Sequence, residues 1–168
     1  MVNILLFILF SLTILFLHEF GHYIMLKIFN VSIYKMGVSC NPLPHFYIRY
    51  NWPRSIMKNY IIILSGSIIT VLGFLILCLL DIGHNIKNLI FTAYFMQFIY
   101  ETNPFHSDFL FASVVWKNQI TAFNCYKVDF RSLIKSYMFS YVWYVHFLLW
   151  TIWTLLLIKH IDLQYIWP

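Results

Sequence analysis

The stretch Leu17-His18-Glu19-Phe20-Gly21-His22 constrains this chain more than any other. It sets three metal-chemistry side chains at the end of an apolar run, Ile4 to Leu17, that is interrupted only by Ser11 and Thr13. A run of this kind predicts a helix over about residues 3–29. At 1.5 Å per residue the path from Asn3 to His18 rises about 22 Å, which places the three groups well into a bilayer and nearer its far face. Ionisable side chains at such depth are expensive and mark functional sites by default. On a helix, positions i and i+4 stack on one face, so His18 and His22 can offer ring nitrogens to a single ion, with Glu19 beside that face. Zinc with one open coordination position lowers the pKa of bound water to roughly 7, and an adjacent carboxylate can take the proton. The pattern is the H-E-x-x-H arrangement of metal-dependent peptide hydrolysis. The plainer alternative, that these residues mark only the interfacial end of a helix, does not account for the spacing.

The rest of the chain agrees with a membrane setting. Hydrophobic residues make up 61% of the 168 positions and charged residues 10%, against about 45–50% and 25% in ordinary globular domains. We expect an all-α polytopic membrane protein, an integral multi-pass chain in contact with the lipid bilayer. It forms one membrane-embedded domain over 1–168, with about four transmembrane helices. The formal net charge of +5 bears on topology in such a chain, and no nucleic-acid partner is expected. Cys40, Cys78 and Cys125 form no C-x-x-C pair and are odd in number, so free thiols are expected. The first helix has no basic leader and no small-residue cleavage site, and is expected to be retained.

After the first helix the segment Val31 to Trp52 changes character. Loose alternation in Val31–Met36, turn chemistry in Asn41-Pro42-Leu43-Pro44 and the aromatic, β-branched Phe46–Tyr50 predict a short membrane-associated β-hairpin. Its edge could accept an extended peptide as another strand; an interfacial loop is the competing reading. A second helix is expected over 60–80, where Ser65-Gly66-Ser67 and Gly73 suit close helix packing. A third is expected over 89–116, broken near 103–108 because Pro104 removes a backbone donor and disfavours helix at Asn103. A fourth is expected over 137–158, with His146 as a packing or interfacial group. Lys35, Arg49, Arg54 and Lys58 follow the first helix, and Lys117, Lys127, Arg131 and Lys135 follow the third. By the positive-inside rule both basic connections lie in the cytoplasm and both termini outside.

Two histidines leave a third protein ligand to be found, and Glu101, His106 and Asp108 all compete for it around the break. Glu101 precedes the break and should lie higher than the motif histidines, which makes it the weakest of the three. Asp108 has a competing role as a helix N-cap.

Together these residues resemble the site-2 protease family of intramembrane zinc metalloproteases. His18-Glu19-Phe20-Gly21-His22 resembles that family's zinc motif, and Ser65-Gly66-Ser67-Ile68-Ile69-Thr70 is similar to its second-helix glycine signature. Asn103-Pro104 through Asp108 resembles its asparagine-proline plus aspartate motif, and Met36-Gly37 with Tyr47–Pro53 looks like its β region. The likeness runs from about Leu12 to Phe109 and implies a bare catalytic core. It implies His18, His22 and Asp108 as zinc ligands and Glu19 as general base. A membrane-embedded or short hydrophobic peptide would be the substrate. Ser67 and Thr70 stand where the family usually has proline and asparagine, and Phe109 where glycine commonly follows the aspartate. A metal-binding or transport protein using the same cluster, or an inactive scaffold, are the alternative expectations. Glu19 separates them, since only a hydrolase needs a non-ligating carboxylate beside the first histidine.

Overall fold

A computed structural model describes residues 2–39, 45–105 and 107–160. The chain is mostly helical with one two-stranded sheet, in the order α1 (Val2–Ile28), β1 (Ile33–Ser39), β2 (His45–Tyr50), α2 (Ile56–Leu79), α3 (His84–Glu101), α4 (Asp108–Lys117), α5 (Phe130–Tyr137) and α6 (Tyr141–His160). Among the described residues three stretches are long and apolar enough to cross a membrane: Asn3–Ile28, Ile56–Leu79 and Tyr141–Lys159. α3 is not among them. It carries Asn85, Lys87, Asn88, Gln97 and Glu101, and the last two are buried within the protein rather than turned outward.

Local chemistry sets the boundaries. α1 stops where Asn30 takes a left-handed conformation (φ 53°). There the Val31 amide donates to Leu26 O at 2.8 Å and the Asn30 amide to Lys27 O at 3.1 Å, a Schellman closure that satisfies the last carbonyls. α4 ends the same way at Gln119 (φ 50°), with Ile120 bonded back to Val115 O at 3.0 Å. α2 begins at Ile56 rather than Tyr60 because Ser55 caps it, accepting from the Lys58 amide at 3.4 Å. β1 and β2 form an antiparallel pair with Met36 opposite Ile48 and Gly37 opposite Tyr47, and its register is irregular between Ile33 and Lys35. The expected turn at Asn41–Pro44 lies outside the described residues.

The region between α4 and the last helix departs from the expectation. In place of a plain basic connection, a 3-10 turn (Cys125–Lys127) leads into α5. Phe130, Leu133, Ile134 and Tyr137 of α5 pack on a cluster formed by Ile63, Leu110, Val114, Val115, Ile120 and Trp143. The last helix begins at Tyr141 rather than 137, because Phe139 is left-handed (φ 65°) and Ser140 Oγ accepts from the Trp143 amide at 3.3 Å.

Among the described residues two apolar clusters hold the helices together. The one just described joins α2, α4, α5 and α6; the second, of Ile14, Leu77, Ala93 and Tyr94 with Phe74 against it, joins α1, α2 and α3. Along α1, Ile14, His18, Gly21 and Leu26 form the buried stripe, while Leu5, Ile8, Leu9, Leu12 and Phe16 stay exposed. A helix apolar on both its covered and uncovered faces suits lipid rather than water. On α1, α2 and α3 alike the polar residues of the site fall beside or between residues of these clusters.

Candidate metal centre

Two glycines bring α1 and α2 together. A methyl group at Gly21 would stand 2.6 Å from Ser65 O, and one at Gly66 would stand 2.6 Å from Nε2 of both His18 and His22. Gly66 is therefore part of the wall against which the two rings lie, a more specific role than the general packing expected of it. His22 Nδ1 donates to Ile62 O at 2.8 Å, and His18 Nδ1 donates to Glu101 Oε1 at 2.7 Å. With both Nδ1 atoms committed as donors, both Nε2 atoms point the other way, toward one another at 3.3 Å.

Asp108 completes the group. Its Oδ2 lies 3.0 Å from His18 Nε2 and 3.1 Å from His22 Nε2. α4 presents it at its first residue, and Ser107 does the capping, accepting from the Leu110 amide at 3.2 Å. The cap role weighed for Asp108 thus falls to its neighbour. The break that releases α4 is built by Asn103, whose Oδ1 accepts from the Phe105 amide at 2.8 Å, and by buried Pro104, whose carbonyl accepts from Trp143 Nε1 at 3.0 Å.

These three atoms fit a metal. A tetrahedral zinc with bonds of roughly 2.0–2.1 Å holds its donors about 3.3 Å apart, and the three separations here are 3.0, 3.1 and 3.3 Å. Their chemistry points the same way. Two imidazole nitrogens and a carboxylate oxygen are a donor set that zinc accepts, and with both imidazoles neutral one divalent ion would meet an electron pair from each of the three. Among the described residues His18, His22 and Asp108 form the one group of three or more such side chains able to hold an ion. His106, the rival third ligand, lies outside the described residues. Glu101 takes a different place from the one weighed for it: it meets His18 on the ring edge away from the cluster.

Sequence reasoning passed over the surroundings of Glu101. It is 3% exposed, and its Oε1 receives the Thr70 hydroxyl at 2.7 Å and the Gln97 amide at 2.9 Å besides the His18 ring. The signal available was its ionisable character inside an apolar segment. Tyr50, at the end of β2, has its hydroxyl pKa pushed up by burial first and by the charge of Asp108 second, so it remains an O–H donor.

Glu19 lies at the meeting of two cavities. One, of about 600 Å³, runs between α1, α3 and α4 and is lined by Leu12, His18, Glu19, Tyr100 and Asp108. The other, of about 390 Å³, runs between α1 and the β1–β2 pair and is lined by Phe16, Glu19, Met36, Val38 and Tyr47. Phe46 of β2 belongs to the wall of both.

Comparison of the chain with protein-family models, with curated proteins and with solved structures finds no match. The molecule is defined by its own geometry, as a helical protein with membrane-length apolar helices and a pair of histidines, one buried and one partly buried, converging on one carboxylate.

Proposed function

We propose that the chain is an intramembrane zinc metalloprotease of the site-2 protease kind, hydrolysing a peptide bond in a transmembrane or short hydrophobic peptide. The observation that carries this reading is the triangle of His18 Nε2, His22 Nε2 and Asp108 Oδ2, with Glu19 next to it in the wall of an apolar cavity. His18, His22 and Asp108 would hold the zinc, which would supply Lewis acidity to a water and to a carbonyl oxygen there. Glu19 takes the proton of the attacking water as the new C–O bond forms. It then delivers that proton to the amine that departs when the C–N bond breaks.

The substrate class follows from the walls. An extended peptide laid across Glu19 has side chains on either side facing the two cavities, whose linings are mainly apolar. The hairpin beside the second cavity has edges that can hold such a peptide extended. In this reading α3 and α4 together form one crossing in two pieces, giving four crossings, with the termini outside and the basic connections in the cytoplasm.

The test compares membrane peptides, by mass spectrometry, from cells carrying the native protein or Glu19→Gln. Glu19 is beside the ligand set and not within it, so the variant should keep zinc and lose cleavage, with uncleaved peptides accumulating in the variant alone. If Glu19→Gln keeps its metal and no peptide differs between the two cell types, the enzyme reading fails and a metal-binding or transport protein remains.

A further inference from the structure

Glu101 is buried among apolar helices, is not in the metal-competent triangle and has no part in the hydrolysis outlined above, yet it carries three hydrogen bonds on one oxygen. An ionisable group held at this depth needs a physical account, because an isolated buried carboxylate is strongly disfavoured. We propose that Glu101 is a positioning residue for the metal: it fixes the His18 ring so that Nε2 faces the ion, and it supplies the second negative charge that a buried divalent ion requires. This rests on the metalloprotease reading of the triangle and extends it to residues outside the ligand set.

The geometry has two parts. His18 Nδ1 lies 2.7 Å from Glu101 Oε1 while His18 Nε2 lies 3.0 Å from Asp108 Oδ2. A carboxylate only accepts, so Nδ1 carries the hydrogen that faces Glu101, and Nε2 is the nitrogen turned toward the triangle, where its lone pair would serve an ion. Glu101 is itself held in place by donors from two helices. Thr70 of α2 reaches Oε1 at 2.7 Å and Gln97, one turn earlier on α3, reaches it at 2.9 Å. Thr70 and Glu101 are 2% and 3% exposed, and Glu101 also borders the larger cavity. Ligand histidines whose second nitrogen donates to a carboxylate are a general device for orienting the ring and raising its basicity.

Charge supplies the second part. Asp108 in contact and Glu101 through the imidazole would bring two negative charges to a divalent ion, so the ion, its ligands and Glu101 together would carry no net charge with both histidines uncharged; Glu19, which borders the cavity and takes the water proton, stands outside this count. In a low-dielectric interior neutrality weighs heavily, because uncompensated charge there is costly. His22 is oriented differently, by the neutral Ile62 carbonyl with Ser65 Oγ nearby at 3.4 Å. The two ligand histidines are therefore not equivalent, and the charge-bearing partner belongs to His18.

The test is metal affinity on the full chain in detergent or lipid nanodiscs, measured with Zn²⁺ and with Co²⁺ against a chelator of known strength. Visible absorption of the Co²⁺ form reports ligand geometry. Glu101→Gln is nearly isosteric and can keep an acceptor for His18, but it is neutral. It should bind metal at least tenfold more weakly, with an altered Co²⁺ spectrum; Glu101→Ala should lose roughly 10–100-fold. If Glu101→Ala does not fold, Glu101→Gln alone decides. Native affinity and an unchanged Co²⁺ spectrum in Glu101→Gln would overturn the role given to Glu101 while leaving the metalloprotease reading intact. Failure of the native chain to bind either metal would overturn both.

Discussion

At Gly66 the space available for a side chain is set by the two ligand nitrogens themselves. The smallest substitution, Gly66→Ala, puts a carbon 2.6 Å from both Nε2 atoms, closer than non-bonded atoms tolerate, so the rings must turn or α1 must move away from α2. Moving the helix away would give up the close approach of the two helices at Gly21, where an added methyl would stand 2.6 Å from Ser65 O. Overpacking of this kind costs roughly 1–3 kcal/mol, and here the strain falls on the ligand set. Gly66→Ala should fold but bind zinc about ten- to a hundredfold more weakly, read by chelator competition beside the native chain. Native affinity would show that the rings do not depend on that wall.

The break between α3 and α4 decides where Glu101 and Asp108 stand, and α6 pins it. Trp143 donates to Pro104 O at 3.0 Å and Trp150 to Ile99 O at 2.9 Å, one bond on each side of the end of α3. Replacing Trp143 by Phe keeps a ring against Phe105 and Phe147 but leaves the buried Pro104 carbonyl without its donor. A buried acceptor left unmade costs about 1–3 kcal/mol. The Tm of the detergent-solubilised protein should fall by a few degrees, with zinc affinity declining alongside; an unchanged Tm would remove α6 from the support of the site. This element also shows what could be read from the chain. Pro104 announced the break, and helical spacing announced that His18 and His22 share a face, because both are local properties of sequence. Two local features were missed, the cap at Ser107 beside Asp108 and α5 among the charges along 127–135, and one long-range feature stayed hidden. Glu101 looked too high to matter because its partners, His18 and Thr70, lie on other helices.

At the scale of the molecule, charge is sorted by end. Contacts tie the start of α2 to the connection after α4: Ala122 donates to Pro53 O at 3.1 Å, Asn59 Nδ2 donates to Ile120 O at 3.1 Å, and Arg54 lies over the Phe123 ring. The end of α1 joins them, with Lys58 over the Phe29 ring. Lys27, Arg54, Lys58, Lys117 and Lys127 thus gather toward one end of the helices, with α5 bringing Arg131 and Lys135 close after it. Lys87 belongs to the opposite end, donating to Leu80 O at 2.8 Å just past the C-terminus of α2. Cations retained in the cytoplasm orient a membrane protein, so the orientation proposed above puts the α2–α3 connection outside and the α4–α5 connection inside. Single cysteines placed at Asn85 and at Asn118, in a chain whose Cys40, Cys78 and Cys125 are replaced by serine, distinguish the two faces. Both positions are exposed, so a thiol reagent that cannot cross membranes should label the first in intact cells and the second only after the membrane is opened. The reverse pattern would invert the protein. Asp108 and the motif histidines would then be approached from the other side, and the substrate would have to present its cleavage point from the opposite face.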